Sequence, residues 1–210
     1  MKKNALLPAM ALGLAFLGML AGSGKRGLQP SPTKPQTAKL PPRILLVGDS
    51  FAVGLAGPLS ELAAAAGAAF ESHGEVGTRI DQWADKFVLD DYLRTFHPTH
   101  ILVSLGANDE AATTIPLSTV AEKLSKLEKR LLSALPGEPP PTVLWIGPPP
   151  LRYPERGARQ LILRAVRDYF DSSLLAIPRA PDGLHPITYR PWAKAVWQRL
   201  LPKLGLAAQA

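Results

Sequence analysis

Beyond Pro42 the sequence alternates short β-rich apolar runs with longer stretches of helical spacing, and this alternation restricts the fold more than any other feature. Five runs have strand character: residues 44–47, a weaker run at 69–72, then 100–105, 142–146 and 174–177. Between and after them lie helical patterns. Residues 52–66 are alanine-rich and stop at Gly67, and Ser118 is placed to cap a helix carrying Val120, Leu124, Leu127, Leu131 and Leu135. A third helix is expected over residues 156–170, with Ile162, Val166, Tyr169 and Phe170 on one face, and a last one carries Tyr189, Ala193, Val196, Trp197, Leu200 and Leu204. Strands joined through helices run parallel by right-handed crossovers, so an α/β fold is expected, with a mainly parallel five-stranded sheet and helices on both faces. Ligands of such sheets bind beyond the carboxyl ends of the strands, which is where polar residues need explaining.

Composition removes several classes of function. The 210 residues include no cysteine, which excludes disulfides, thiol nucleophiles, cysteine-held zinc and iron–sulfur clusters. The net charge of +7 invites a nucleic-acid reading, but Lys2, Lys3, Lys25, Arg26, Lys34 and Lys39 all precede Pro42 with no Asp or Glu among them. The remaining chain is therefore almost neutral, and nucleic acid is not an expected partner. Residues 1–22 have the form of a signal peptide or membrane anchor: a basic start, an apolar run from Ala5 to Gly22, and small residues at Ala21 and Ser23. The run is long enough to span a bilayer if it stays uncleaved, and both fates remain open. Residues 23–42, with Pro30, Pro32, Pro35, Pro41 and Pro42, form an expected disordered tether, leaving residues 43–210 as the folded domain at an extracytoplasmic location.

Three strand ends carry polar clusters. Gly48-Asp49-Ser50 follows the first strand and opens a helix, so the Ser50 hydroxyl stands at a helix N-terminus, suited to a nucleophile, unless Ser50 or Asp49 only caps the helix. Gly106-Ala107-Asn108-Asp109 follows the third strand; Asn108 is a candidate amide donor to an oxyanion, or a turn residue. Asp182-Gly183-Leu184-His185-Pro186 supplies a histidine to take the serine proton and a carboxylate three residues earlier to orient it. His97 and His100 are assigned structural roles, since no carboxylate stands close to them in sequence.

These blocks in this order resemble the SGNH (GDSL) hydrolases, over residues 44–185. The resemblance implies a flavodoxin-like three-layer fold and a catalytic set of Ser50, Asp182 and His185. It further implies an oxyanion hole formed by Ser50, Asn108 and a glycine after the second strand, with Gly48, Asp49, Gly106 and Asp109 supporting the motifs. Gly77 and Gly74 both qualify for that glycine, and Gly77 is preferred because Thr78 and Asp81 suit a loop entering a helix. The rival α/β-hydrolase elbow lacks its last glycine, since Ala52 stands there. The expected activity is acyl transfer from a carboxylic ester to water, on O-acetylated envelope polysaccharide, an acylated glycan or a lipid, without metal or cofactor. Transfer to a sugar hydroxyl by the same triad, or glycan binding without catalysis, are the alternatives. The proline-rich loop at residues 147–154 is either a wall of the substrate site or a rigid connection.

Overall fold

A computed structural model of the chain describes residues 40–206 apart from residue 134; the expected leader and nearly all of the expected tether lie outside the described residues. The domain is built on β1 (Arg43–Gly48), β2 (Ala69–Gly74), β3 (His100–Ser104), β4 (Thr142–Ile146) and β5 (Tyr169–Phe170). They form one sheet in the order β2-β1-β3-β4-β5, parallel throughout, which is the flavodoxin-like order. Around it stand α1 (Ser50–Ala65), α2 (Ile80–Asp85), α3 (Val88–Phe96), α4 (Ala107–Ala111), α5 (Leu117–Leu131), α6 (Ala158–Ala165) and α7 (Arg190–Leu200). Among the described residues no helix is long and apolar enough to cross a membrane.

The period-2 alternation of the strands divides the core into two layers. Ile44, Leu46, Leu102 and Leu144 face α1 and α7, while Leu45, Val47, Ile101, Val103 and Trp145 face α2, α3 and α5. Both strand faces are thus buried, which is why these runs are continuously apolar. Each fully buried Leu or Ile contributes about 1.5–3 kcal/mol relative to exposure, so the centre of the sheet is the rigid base on which the loops stand.

Three expectations are corrected. The fifth strand is Tyr169–Phe170 rather than residues 174–177, where Leu174, 88% exposed, ends a 3₁₀ turn capped by Asp171. The reason is tertiary: Trp145 N–H donates to Asp168 O at 3.0 Å, and Arg199 holds the Asp168 carboxylate at 2.6 Å, so the chain is pinned to β4 earlier than its apolar pattern indicates. The helix expected over residues 156–170 consequently ends at Ala165, with β-branched Val166 already extended. Ser118 does not cap α5, which opens one residue before it behind Pro116. α2 is the helix expected after Gly77, α3 and α4 are helices without a matching sequence expectation, and the last stripe continues past α7 as a 3₁₀ turn, Leu201–Lys203, around Pro202.

Candidate active site

The sheet brings Ser50, the loop after β2 and Asn108 to one edge because β1, β2 and β3 are neighbours in register, with Gly48 opposite both Gly74 and Ser104. Ser50 is the first residue of α1, so its N–H has no intrahelical acceptor. The cap is Asp49, whose Oδ1 accepts Phe51 N–H at 2.9 Å. This division of labour leaves the serine hydroxyl uncommitted to the helix.

The hydroxyl instead meets His185, which arrives on the loop before α7. Ser50 Oγ lies 2.9 Å from Nε2, and Nδ1 lies 2.7 Å from Asp182 Oδ2. Because Nδ1 faces a carboxylate it carries the proton, and Nε2 is then the acceptor for the Ser50 O–H. Asp182 Oδ1 accepts the N–H groups of Leu184 and His185 at 2.8 and 2.9 Å, so one carboxylate shapes the turn and orients the ring. The hydrogen bond from His185, followed by those two backbone donors, lowers the Asp182 carboxyl to about 2. The loop closes on itself through an antiparallel bridge between Arg179 and Pro186, and the His185 ring rests 5.4 Å from that of buried Phe51.

Asn108 and Asp109 occupy the first turn of α4 rather than a loop. Asn108 Nδ2 donates to Thr78 O at 2.9 Å and, at 3.4 Å, to Asp49 Oδ2. Asp109 accepts Ile80 N–H with both oxygens at 3.3 Å, tying the start of α2 to α4. Both aspartates are 1% exposed. Burial, with a contribution from the neighbouring Asp109 charge, pushes Asp49 up to about 7, and burial pushes Asp109 up to about 6. The two glycine candidates differ in surroundings. A Cβ on Gly74 would come within 2.7 Å of the Val53 backbone nitrogen, so packing against α1 accounts for that glycine. Gly77 has φ +78 with open space around its Cβ position.

Other residues that hold the site have no motif to mark them. Thr78 Oγ1 donates to Glu75 O at 2.7 Å and accepts Trp83 Nε1–H at 2.9 Å, which fixes the loop carrying Gly77. Buried Glu110 accepts the N–H groups of Arg156, Gly157 and Arg159 at 2.6, 3.1 and 2.6 Å, capping the start of α6 from a distance in sequence. Arg159 donates to Pro148 O at 2.7 Å and to the Glu155 carboxylate, and Tyr153 O–H donates to Ala107 O at 2.8 Å, so the proline-rich loop is fastened beside α4. The proline-rich run at residues 147–154 was the one sequence signal that pointed there. His97 bonds Glu138 at 2.8 Å, and His100 bonds Thr99 Oγ1 and Lys203 O at 2.9 and 3.0 Å. Among the described residues no group of three or more His, Asp or Glu is arranged to hold a metal ion.

No family model and no curated protein matches the chain. Solved structures do. A family 3 carbohydrate esterase of Clostridium thermocellum superposes with a TM-score of 0.58 at 19% identity, over 79% of this chain and 98% of that one. A psychrotrophic esterase from Pseudoalteromonas sp., inhibited by monoethylphosphonate, gives 0.60 at 19% identity over 77% and 98%. A GDSL-like lipase from Bacteroides thetaiotaomicron gives 0.56 at 13% identity over 77% and 87%. The strand order, the layers and these superpositions agree: the domain has the fold of the SGNH/GDSL hydrolases.

Proposed function

We propose that the chain is an exported serine ester hydrolase that moves the acyl group of a carboxylic ester to water through Ser50. The observation carrying this reading is the unbroken line of hydrogen bonds from the Ser50 hydroxyl through His185 to Asp182, standing at the carboxyl edge of a parallel sheet. The fold shared with esterases lends it further support.

In this mechanism Ser50 Oγ attacks the ester carbonyl carbon while its proton passes to His185 Nε2. The carbonyl electron pair moves onto oxygen, and the negative charge is met by the N–H groups of Ser50 and Gly77 and by Asn108 Nδ2. Of the two bonds made by Nδ2, the 3.4 Å contact to Asp49 is the weaker, and its N–H is the one that turns to the oxyanion. The carbonyl re-forms as the bond to the alcohol oxygen breaks, and that oxygen takes the proton from Nε2. Water then attacks the acyl-serine, giving its proton to His185; the acid departs and Ser50 recovers its hydrogen. Asp182, lowered to about 2, stays ionised throughout and stabilises the imidazolium.

Residues 1–22 support export by their basic start and apolar run. At that location the substrate is a small acyl group on a large alcohol, such as O-acetylated envelope polysaccharide, and the exposed Asp182 with half-buried Ser50 and His185 suits access by a polymer. Labelling with a serine-directed fluorophosphonate tests the chemistry: wild type should react and Ser50→Ala should not. A folded wild type that refuses the label overturns it.

A further inference from the structure

The loop that brings His185 to the serine also forms one wall of a groove of about 530 Å³, which Leu151, Arg152, Leu175, Arg179 and Gly183 help to line. Two of these residues are cationic, and neither pairs with a carboxylate among the described residues, unlike Arg130, which is paired with Asp90, or Arg159, paired with Glu155. Arg179 is held by backbone alone, donating to Leu184 O at 2.5 Å and to Pro150 O. Exposed Arg152 lies across Gly183, with Nη1 3.5 Å from Asp182 O. A Cβ on Gly183 would stand 2.0 Å from Arg152 Nε, so the glycine provides the bed for the guanidinium as well as the left-handed φ of +68 in the turn. The nearest acid, Asp182, is committed to His185 and to two backbone donors.

We propose that the alcohol portion of the substrate carries an anionic group, a carboxylate or a phosphate, and that Arg152 and Arg179 receive it in this groove. The inference rests on the esterase reading of Ser50, because that mechanism decides which part of the substrate reaches the groove. His185 Nε2 must stand within hydrogen-bond reach of the leaving oxygen to protonate it, so the alcohol extends past His185, away from the oxyanion donors that follow β1, β2 and β3. The loop of residues 178–187 carries His185, and the groove it walls is the surface assigned to such an alcohol. Planar guanidinium groups match carboxylate and phosphate oxygens by paired N–H bonds. Arg179, fixed by two carbonyls and depressed from its ordinary range by burial, offers its charge without further ordering. A uronic-acid glycan and a phosphate-bearing polymer or lipid present the same chemistry.

Phenyl acetate, 4-acetoxybenzoate and 4-acetoxyphenyl phosphate share an acetyl group and differ in the charge on the alcohol. Their kcat/KM values are measured with full-length wild type and Arg152→Gln, and each ester is compared between the two proteins so that leaving-group reactivity cancels. The expected result is a loss on at least one anionic ester exceeding that on phenyl acetate by about fivefold, expressed mainly in KM and diminished by salt. Which anion suffers identifies carboxylate or phosphate as the ligand. Equal losses on all three esters, or none, overturn the anionic subsite while phenyl acetate turnover keeps the hydrolase reading in place. Failure of the wild type to turn over phenyl acetate overturns both.

Discussion

Replacing Asp49 with asparagine should flatten the dependence of folding stability on pH between about pH 4 and pH 7. The carboxyl is 1% exposed, and burial pushes it up from an ordinary value of 3.8 to about 7. A folded value above the unfolded one means that the folded state holds the proton more tightly. The stabilisation is fully present below about pH 4 and is lost as pH rises through about 7. The interval is about three units, each about 1.4 kcal/mol, so the loss has a ceiling of about 4 kcal/mol. Asp109, pushed up to about 6, acts in the same direction and leaves the variant a residual slope. Asparagine keeps an oxygen for Phe51 N–H, but its amide must face that of Asn108, now 3.4 Å from Asp49 Oδ2, so a cost independent of pH is also expected. Urea midpoints at about pH 5 and about pH 8 give the comparison. If Asp49→Asn keeps the full wild-type difference between them, Asp49 does not bind its proton more tightly in the folded state and this account of the site is wrong.

Asn108→Ala should lower ester turnover by about 10²–10³-fold, the effect of losing one oxyanion donor, and steady-state kinetics that match wild type remove Asn108 from the mechanism. Glu110→Ala strips the acceptor from three backbone N–H groups at the start of α6, and a loss of about 3 kcal/mol is expected by chemical denaturation. An unchanged midpoint means that water or a neighbouring group satisfies those donors.

The central strands were legible in the sequence because each is buried on both faces, so their apolar runs have no rival reading as half-exposed helix. Ser50 and Asn108 were legible as positions because strand ends in a parallel sheet share an edge. Asp182 and His185 lie in one turn, where three residues of separation suffice for contact. What stayed hidden depends on partners distant in sequence. β5 exists because β4 accepts two residues and Arg199 fixes Asp168, and a two-residue strand has too few side chains to show a period. Glu110 looks like a surface acid beside Asp109 until residues 156–159 fold over it. Phe51 reads as ordinary core in α1, and its contact with the His185 ring requires a loop that closes far along the chain.

The closure of the Asp182–His185 loop separates two kinds of durability. Its shape comes from Ala180 N–H to His185 O at 2.8 Å, Ile187 N–H to Pro178 O at 3.0 Å and the grip of Arg179, all near the surface, whereas Ser50 is anchored in the core. Opening this segment disturbs no sheet hydrogen bond, and its apolar contacts with the core are limited to Leu184, Pro186 and the His185 ring on Phe51, so it requires less free energy than unfolding. Heat or mild denaturant would therefore silence the site while the sheet is still intact, with amides 180–187 exchanging well before those of β1 and β3. The working temperature of the protein is set by the endurance of a surface hinge rather than by the melting of its core.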